Sequence, residues 1–285
     1  MRLKVRQDRL GTKERFNIYG KAVYPAPSYR YRDWTIADND SNILGWYDTS
    51  DPTTVYDVGG VVYELSDKSG NDLSLLAGEH PGPTTGTRTY NNKNVFDCDG
   101  TELLDNHDFI LPSSGDVAVY MVGEVDTVTS QYNSLFAMNE EPHPGVNDFQ
   151  MNTQSAVQFE PRIARFGTSV DSTGGAFEGP SIYCAIFDWT DTGTVSIYLD
   201  GTQNGSESYA TTKLAITQEL IIFANRNEGA PMNGWFGEVV VCESCSSTCR
   251  QTTEGYLAHK WGLSGNLPSG HPYKSEAPKV LIPPK

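Results

Sequence analysis

The sequence predicts an all-β protein: two antiparallel sheets packed as a sandwich, one short C-terminal helix and an extended N-terminal arm. Three observations carry this expectation. From Trp34 onward, short apolar runs alternate with turn-forming clusters, a spacing that suits strand after strand rather than βαβ units. The 27 glycines, 16 prolines and 11% aromatic residues fit many short strands joined by tight turns. Complete helix start and stop signals occur in one stretch, late in the chain. At 285 residues the chain can bury a single large core.

The first segment, residues 1–33, carries nine Lys or Arg against three acids, a net of +6, while the other 252 residues hold 12 basic and 33 acidic side chains, a net of -21. Opposite charge directs the two parts to different partners. Arg2, Lys4, Arg6, Arg9, Lys13 and Arg15 therefore read as an assembly arm that docks on an acidic neighbour. The acidic body argues against nucleic acid, because phosphate binding needs a basic face on the folded part. Tyr24-Pro-Ala-Pro-Ser-Tyr29 is biased to extended backbone, which makes the end of this segment a linker.

Residues 34–274 form the expected sandwich. Its clearest strands are 117–125, 181–189, 194–199, 219–224 and 234–242, with weaker ones at 43–47, 95–96, 134–138, 149–151 and 158–166. In Thr194-Val-Ser-Ile-Tyr-Leu-Asp-Gly201 the period of two puts Val195, Ile197 and Leu199 on one face, and Asp200-Gly201 supplies a turn that accepts positive φ. The helix is expected over 249–261, opened by Thr248 with Gln251 as a capping box and closed by Gly262. Thr253, Leu257 and Trp261 share one stripe of it. Residues 275–285 form a Pro-rich, extended tail.

Residues 1–20 contain no apolar run of the secretory kind and no stretch reaches membrane-spanning length, so synthesis in the cytoplasm without membrane insertion is expected. Five cysteines, an odd number, fit free thiols rather than a disulfide framework. Cys242-x-x-Cys245-x-x-x-Cys249 has the close spacing of a zinc cluster but lacks a fourth ligand nearer than His259, so small buried apolar thiols are the expectation.

The segment Glu254-Gly-Tyr-Leu-Ala-His-Lys-Trp-Gly-Leu-Ser-Gly-Asn-Leu-Pro-Ser-Gly-His-Pro-Tyr-Lys274 closely resembles the C-terminal signature of concanavalin A-like (laminin G-like) domains of tailed-bacteriophage and marine bacterial proteins. Upstream, Ile43-Leu-Gly-Trp-Tyr-Asp-Thr-Ser-Asp51, Leu65-Ser-Asp-Lys-Ser-Gly-Asn71, Val95-Phe-Asp-Cys-Asp-Gly100, Ser196-Ile-Tyr-Leu-Asp-Gly201 and Gly237-Glu-Val-Val-Val241 take the family's expected places. The resemblance covers residues 43–274. It implies a two-sheet jelly roll whose face or rim binds glycans in many members, sometimes with a calcium ion. One function does not follow from such a fold.

Glu124-Val-Asp126-Thr-Val-Thr129 resembles the start of the Glu-x-Asp-x-x-Glu strand of laminarinase-type relatives, but Thr129 stands where the acid/base carboxylate belongs. On that ground the chain is expected not to be an enzyme. For calcium, the weak candidates are Asp38, Asp40, Asp67, Asp97 and Asp99, in oxygen-rich loops that would have to converge. Otherwise no cofactor is expected. Among aromatics, Trp46, Trp189 and Trp235 read as core, and Tyr90, Tyr132, Phe149 and Tyr209 lie near polar loops without defining a sugar site. The leading expectation is a virion structural protein, a capsid decoration or small appendage assembled in the host cytoplasm. It would dock on other virion proteins, self-associate and display a lectin-like sandwich for glycan adhesion. The alternative is a carbohydrate-binding module of a bacterial surface protein.

Overall fold

Period-two alternation resolves into two antiparallel sheets in the computed structural model. It describes residues 6–7, 13–16, 22–23, 30–112, 115–128, 133–139, 149–155, 158–165, 168–171, 179–188, 192–210, 217–225, 228–229, 231–243 and 245–282, with backbone alone before residue 30 and over 153–171. In hydrogen-bonding order the first sheet runs Thr84–Tyr90, Lys93–Asp99, Asn233–Glu243, Asp116–Thr127, Ser181–Asp188, Thr192–Leu199 and Thr202–Ala210. Ile43–Asp48 flanks the second half of the Asn233–Glu243 strand. The second sheet runs Val55–Val58, Val61–Leu65, Leu75–Leu76, Leu104–Ile110, Thr217–Ile222, Ser134–Asn139, Phe149–Ser155, Gln158–Arg165 and Thr168–Asp171. One pair, Val61 with Thr84, links the sheets at an edge.

Side chains pointing inward from both sheets make one core, including Phe96, Phe109, Met121, Phe136, Phe149, Phe187, Leu220 and Phe236. Phe149 stacks on Phe187 at 4.0 Å between ring centroids. The all-β jelly-roll-type sandwich with a short C-terminal helix stands as the sequence predicts. Val195 and Ile197 are buried on the shared face, and Asp200 and Gly201 both adopt positive φ (48° and 78°) to close the expected hairpin.

Contacts divide the chain into two units, Met1–Trp34 with Lys279–Lys285, and Thr35–Pro278. In the first, Arg6–Gln7, Lys13–Phe16 and Ala22–Val23 form a three-stranded antiparallel sheet. The strand Lys279–Ile282, within the stretch read as an extended tail, pairs antiparallel with Arg30–Asp33.

The helix spans Ser247–Trp261, two residues longer than expected at its start. Ser246, not Thr248, is the N-cap: its extended backbone lets the hydroxyl accept from the Cys249 amide at 3.2 Å. Gly262 closes the helix in the left-handed region at φ 74°. Thr253, Leu257 and Trp261 are buried together as predicted.

What fastens this helix explains the C-terminal signature. Glu238, fully buried on the first sheet's outer face, accepts from Trp46 Nε1 (2.7 Å), Trp261 Nε1 (2.8 Å) and Tyr256 Oη (3.1 Å), and ion-pairs with Lys260 Nζ (2.7 Å). Lys260 also reaches Asp48 at 2.8 Å. Glu254 holds Arg250 and His271, and His259 Nε2 meets the Tyr273 carbonyl at 2.8 Å. Gly237 has no side chain because a Cβ there would lie 2.5 Å from the Trp261 ring. Charge-assisted bonds thus clamp the signature onto the sheet.

Candidate functional site

Of the carboxylates singled out as calcium candidates, the four whose side chains are described are each held by neighbouring groups. Asp67 accepts from the Trp46 and Ser69 amides and the Ser69 hydroxyl, the geometry of an Asx turn. Asp97 pairs with Arg88 at 3.2 Å, Asp99 accepts from the Thr101 hydroxyl, and Asp38 bonds back to the Thr35 amide. The Asp40 side chain lies outside the described residues. Among the described residues, the two groupings of His, Cys, Asp and Glu close enough to share one ion contain none of Asp38, Asp67, Asp97 and Asp99.

Glu124 and Asp126, the carboxylates of the laminarinase-like segment, are tied down by Arg88, and Glu124 also accepts from Trp235 Nε1 at 2.7 Å. Thr129 is outside the described residues. Of the aromatics considered for sugar contact, Phe149 is core, Tyr90 packs 4.9 Å from Trp235, and Tyr132 and Tyr209 are not described at side-chain level. For the arm, Arg6, Lys13 and Arg15 lie on backbone strands, while Arg2, Lys4 and Arg9 fall outside the described residues.

A different constellation lies on the second sheet, on the face turned away from the core. Leu104, Phe109, Leu220, Ile222, Phe136, Met138, Phe149 and Met151 point inward. Their alternates therefore point outward: Asp105 and His107, Glu219 and Ile221, Ala137, and Gln150 and Asn152. Register aligns them, with Asp105 opposite Ile221, Ile221 opposite Ala137, and Ala137 opposite Gln150. A polar row thus crosses four strands around a small apolar centre of Leu103, Ala137, Ile221 and Ala224.

At one end of the row His107 bridges two carboxylates, with Nδ1 3.0 Å from Glu219 and Nε2 3.6 Å from Asp105. His80 Nε2 meets Glu228 at 2.8 Å beside them. Asp105 and Glu219 are buried, whereas His107 is exposed. Burial holds the Asp105 carboxyl above its usual range, and Glu228 adds to this against the opposing effects of His107 and His80. One donor atom from each of Asp105, His107, Glu219 and Glu228 lies within 4.8 Å of the others, so this oxygen and imidazole set could hold a divalent cation.

At the other end, Gln150 Oε1 and both polar atoms of the Asn152 amide are buried without a hydrogen-bond partner among the described residues. Each such group costs about 1–3 kcal/mol unless something pairs with it. Amides at one end of the row and carboxylates at the other together offer donors and acceptors, as a polyhydroxylated ligand requires. No local motif announced this row. It is assembled from residues about 115 positions apart, and a strand-by-strand count of polar residues opposite core positions is the signal that finds it.

A second concavity, of about 270 Å³, is lined by Thr49, Ser50, Pro52, Val55, Asp57, Thr85 and Asn94. Its polar groups are already spent on one another, with Asn94 Nδ2 donating to Thr85 Oγ1 at 2.8 Å and Thr49 Oγ1 to the Asn94 carbonyl at 2.9 Å. The outer row is the better candidate. Among the described residues no helix is long and apolar enough to cross a membrane.

No protein-family model and no curated protein sequence matches this chain. Solved structures do. An α-L-arabinofuranosidase of family GH54 superposes with a TM-score of 0.55 at 10% identity, over 77% of this chain and 63% of that one. The binding domain of botulinum neurotoxin serotype C1 gives 0.51 at 8% identity, over 76% and 52%. A Trypanosoma rangeli sialidase gives 0.50 at 12%, over 77% and 33%. This chain thus spans less than two thirds of each of these three. They bear out a β-sandwich, a fold present in proteins named as an arabinofuranosidase and a sialidase. They also correct the expectation of a non-enzyme: the missing carboxylate at Thr129 spoke only to one strand motif, and proteins named as glycosidases include this same fold.

Proposed function

We propose that the chain recognises a glycan on the outer face of its second sheet, through Asp105, His107, Glu219, Gln150 and Asn152. The observation that carries this reading is the buried, unpartnered amide of Asn152 beside Gln150, in line with two buried carboxylates. A sugar's vicinal hydroxyls would donate to Asp105 and Glu219 and pair with the amides. The carboxylate pair is also where hydrolysis of a glycosidic bond should be sought, since such chemistry needs two carboxyl groups across the scissile bond.

Screening the full-length chain on a glycan array, then titrating the best ligand by calorimetry, tests this. Asn152→Ala and Gln150→Ala should each weaken binding at least about tenfold, the cost of leaving a ligand hydroxyl unpaired. Reducing-sugar release that Glu219→Gln abolishes would identify an enzyme. Unchanged affinity in both amide variants sinks the site.

A second reading, a structural component of a tailed-phage particle docking through residues 1–33, is favoured by the charge split between a +6 arm and a -21 body. It predicts that full-length chain binds particles stripped of this protein in a salt-sensitive manner, and that a chain lacking residues 1–33 does not.

A further inference from the structure

Cys242 is the next-to-last residue of the strand Asn233–Glu243, Cys245 lies between that strand and the helix, and Cys249 sits in the first turn of the helix. Intervals of three and four residues across a strand end, a turn and a helix start bring all three sulfurs within 4.8 Å of one another. We propose that Cys242, Cys245 and Cys249 form a trithiolate site for one thiophilic cation, Zn²⁺, with its fourth position open to an external donor.

Three features favour a metal site over thiols that merely fill space. First, the spacing fits: Zn–S bonds of about 2.3 Å in a tetrahedron set the sulfurs about 3.8 Å apart, so closing the triangle needs movement of at most about 1 Å. Second, polar groups reach two of the three sulfurs. Asn39 Nδ2 points at Cys249 Sγ from 3.5 Å, and Tyr120 Oη lies 2.9 Å from Cys245 Sγ. Donors aimed at sulfur orient metal thiolates, whereas a thiol packed as a small apolar group needs none. Third, access is one-sided. Cys242 and Cys245 are buried while Cys249 is partly exposed, so an ion and an external donor would approach from the Cys249 side.

In sequence no fourth ligand lies nearer the cluster than His259, and His259 points elsewhere, to the Tyr273 carbonyl. Three protein ligands with an open position are nonetheless an ordinary zinc arrangement. The helix N-terminus adds a positive partial charge beside the thiolates. Binding one Zn²⁺ displaces three thiol protons to solvent and changes no oxidation state. The site is remote in composition from the Asp105, His107, Glu219 and Glu228 cluster, whose hard oxygen donors suit other ions.

Untagged full-length protein, reduced and freed of metal, is titrated with Zn²⁺ against a chromophoric chelator, and with Co²⁺ to read sulfur-to-cobalt charge-transfer absorption. One equivalent bound, with that absorption, is the expected result. Cys249→Ser should weaken binding by more than about a hundredfold, beyond what loss of an outer-shell partner does. Cys98→Ser, on another strand, should leave it unchanged. The wild-type cobalt spectrum needs no variant to fold. Absence of stoichiometric binding, a cobalt spectrum without sulfur charge transfer, or a disulfide among the three cysteines in alkylation mapping of unreduced protein would each overturn the proposal.

Discussion

Removing the Glu238 carboxylate tests the clamp beneath the helix. Glu238→Ala strands two indole N–H groups and a phenol, at 2.7, 2.8 and 3.1 Å, and leaves Lys260 with Asp48 alone. Counting each lost bond to a charged acceptor at about 1.5–3 kcal/mol would give a sum near 4.5–9. That overstates the loss, because the mutation also relieves the desolvation of the buried carboxylate and opens room for water. Breaking a buried ion pair from one side costs about 3–5 kcal/mol, so a loss near 4 kcal/mol is expected. At about 2–4 °C per kcal/mol for a chain of this size, the melting temperature should fall by roughly 8–16 °C. Glu238→Gln keeps one acceptor oxygen and should lose about half as much. Urea unfolding followed by tryptophan fluorescence reads both variants, since Trp46 and Trp261 touch the site. A loss below about 1 kcal/mol in Glu238→Ala would mean that apolar packing holds the helix and that the clamp adds little.

Gly237→Ala drives a methyl to 2.5 Å from the rigid Trp261 ring, and calorimetric melting should show about 1–3 kcal/mol of destabilisation; a neutral result would refute the close approach. Ser246→Ala removes the N-cap and should cost about 1 kcal/mol in urea unfolding, whereas Thr248→Ala should cost much less. The Lys68 ammonium, by hydrogen bonding, holds Asp51 down to about 2, and at Asp48 burial pushes the carboxyl up but Lys260, Ser50 and Lys68 outweigh it, so it too lies below the usual value. Both folded values are depressed, so their contribution is complete above about pH 4 and drains as pH falls towards 2. Lys68→Met should flatten the fall in melting temperature over that window, and an unchanged slope would refute the assignment.

Strands with strict alternation were legible to within two or three residues, as at Thr192–Leu199, because one face meets the core and the other does not. Those that escaped notice have weak patterns. In the Val55–Val58 and Val61–Leu65 hairpin, Tyr56, Val58, Val61 and Tyr63 are all exposed, so apolar residues sit on the outer side and hide the period. Its turn, Gly59-Gly60 with φ of 65° and 86°, was nevertheless a readable hairpin signal. The loop 38–42 lies instead in a 3-10 helix, Ile36–Asn42, where Asp38 serves the Thr35 cap. The outer polar row was illegible because strand pairing, not sequence proximity, brings Asp105 to Glu219. The thiol cluster was visible as a spacing, but convergence of a strand end with a helix start is a three-dimensional fact.

The short ladder of Arg30–Asp33 with Lys279–Ile282 has a mechanical consequence. Arg30 pairs with Ile282 and Asp33 with Lys279, so the chain enters and leaves this ladder at the same end. Tension applied across residues 30 and 282 would part the rungs one after another, as a zipper opens, instead of shearing four pairs together. Such a ladder yields at low force and lengthens the tether before load reaches Thr35 and Pro278, so the pairing behaves as a fuse in series with the sandwich.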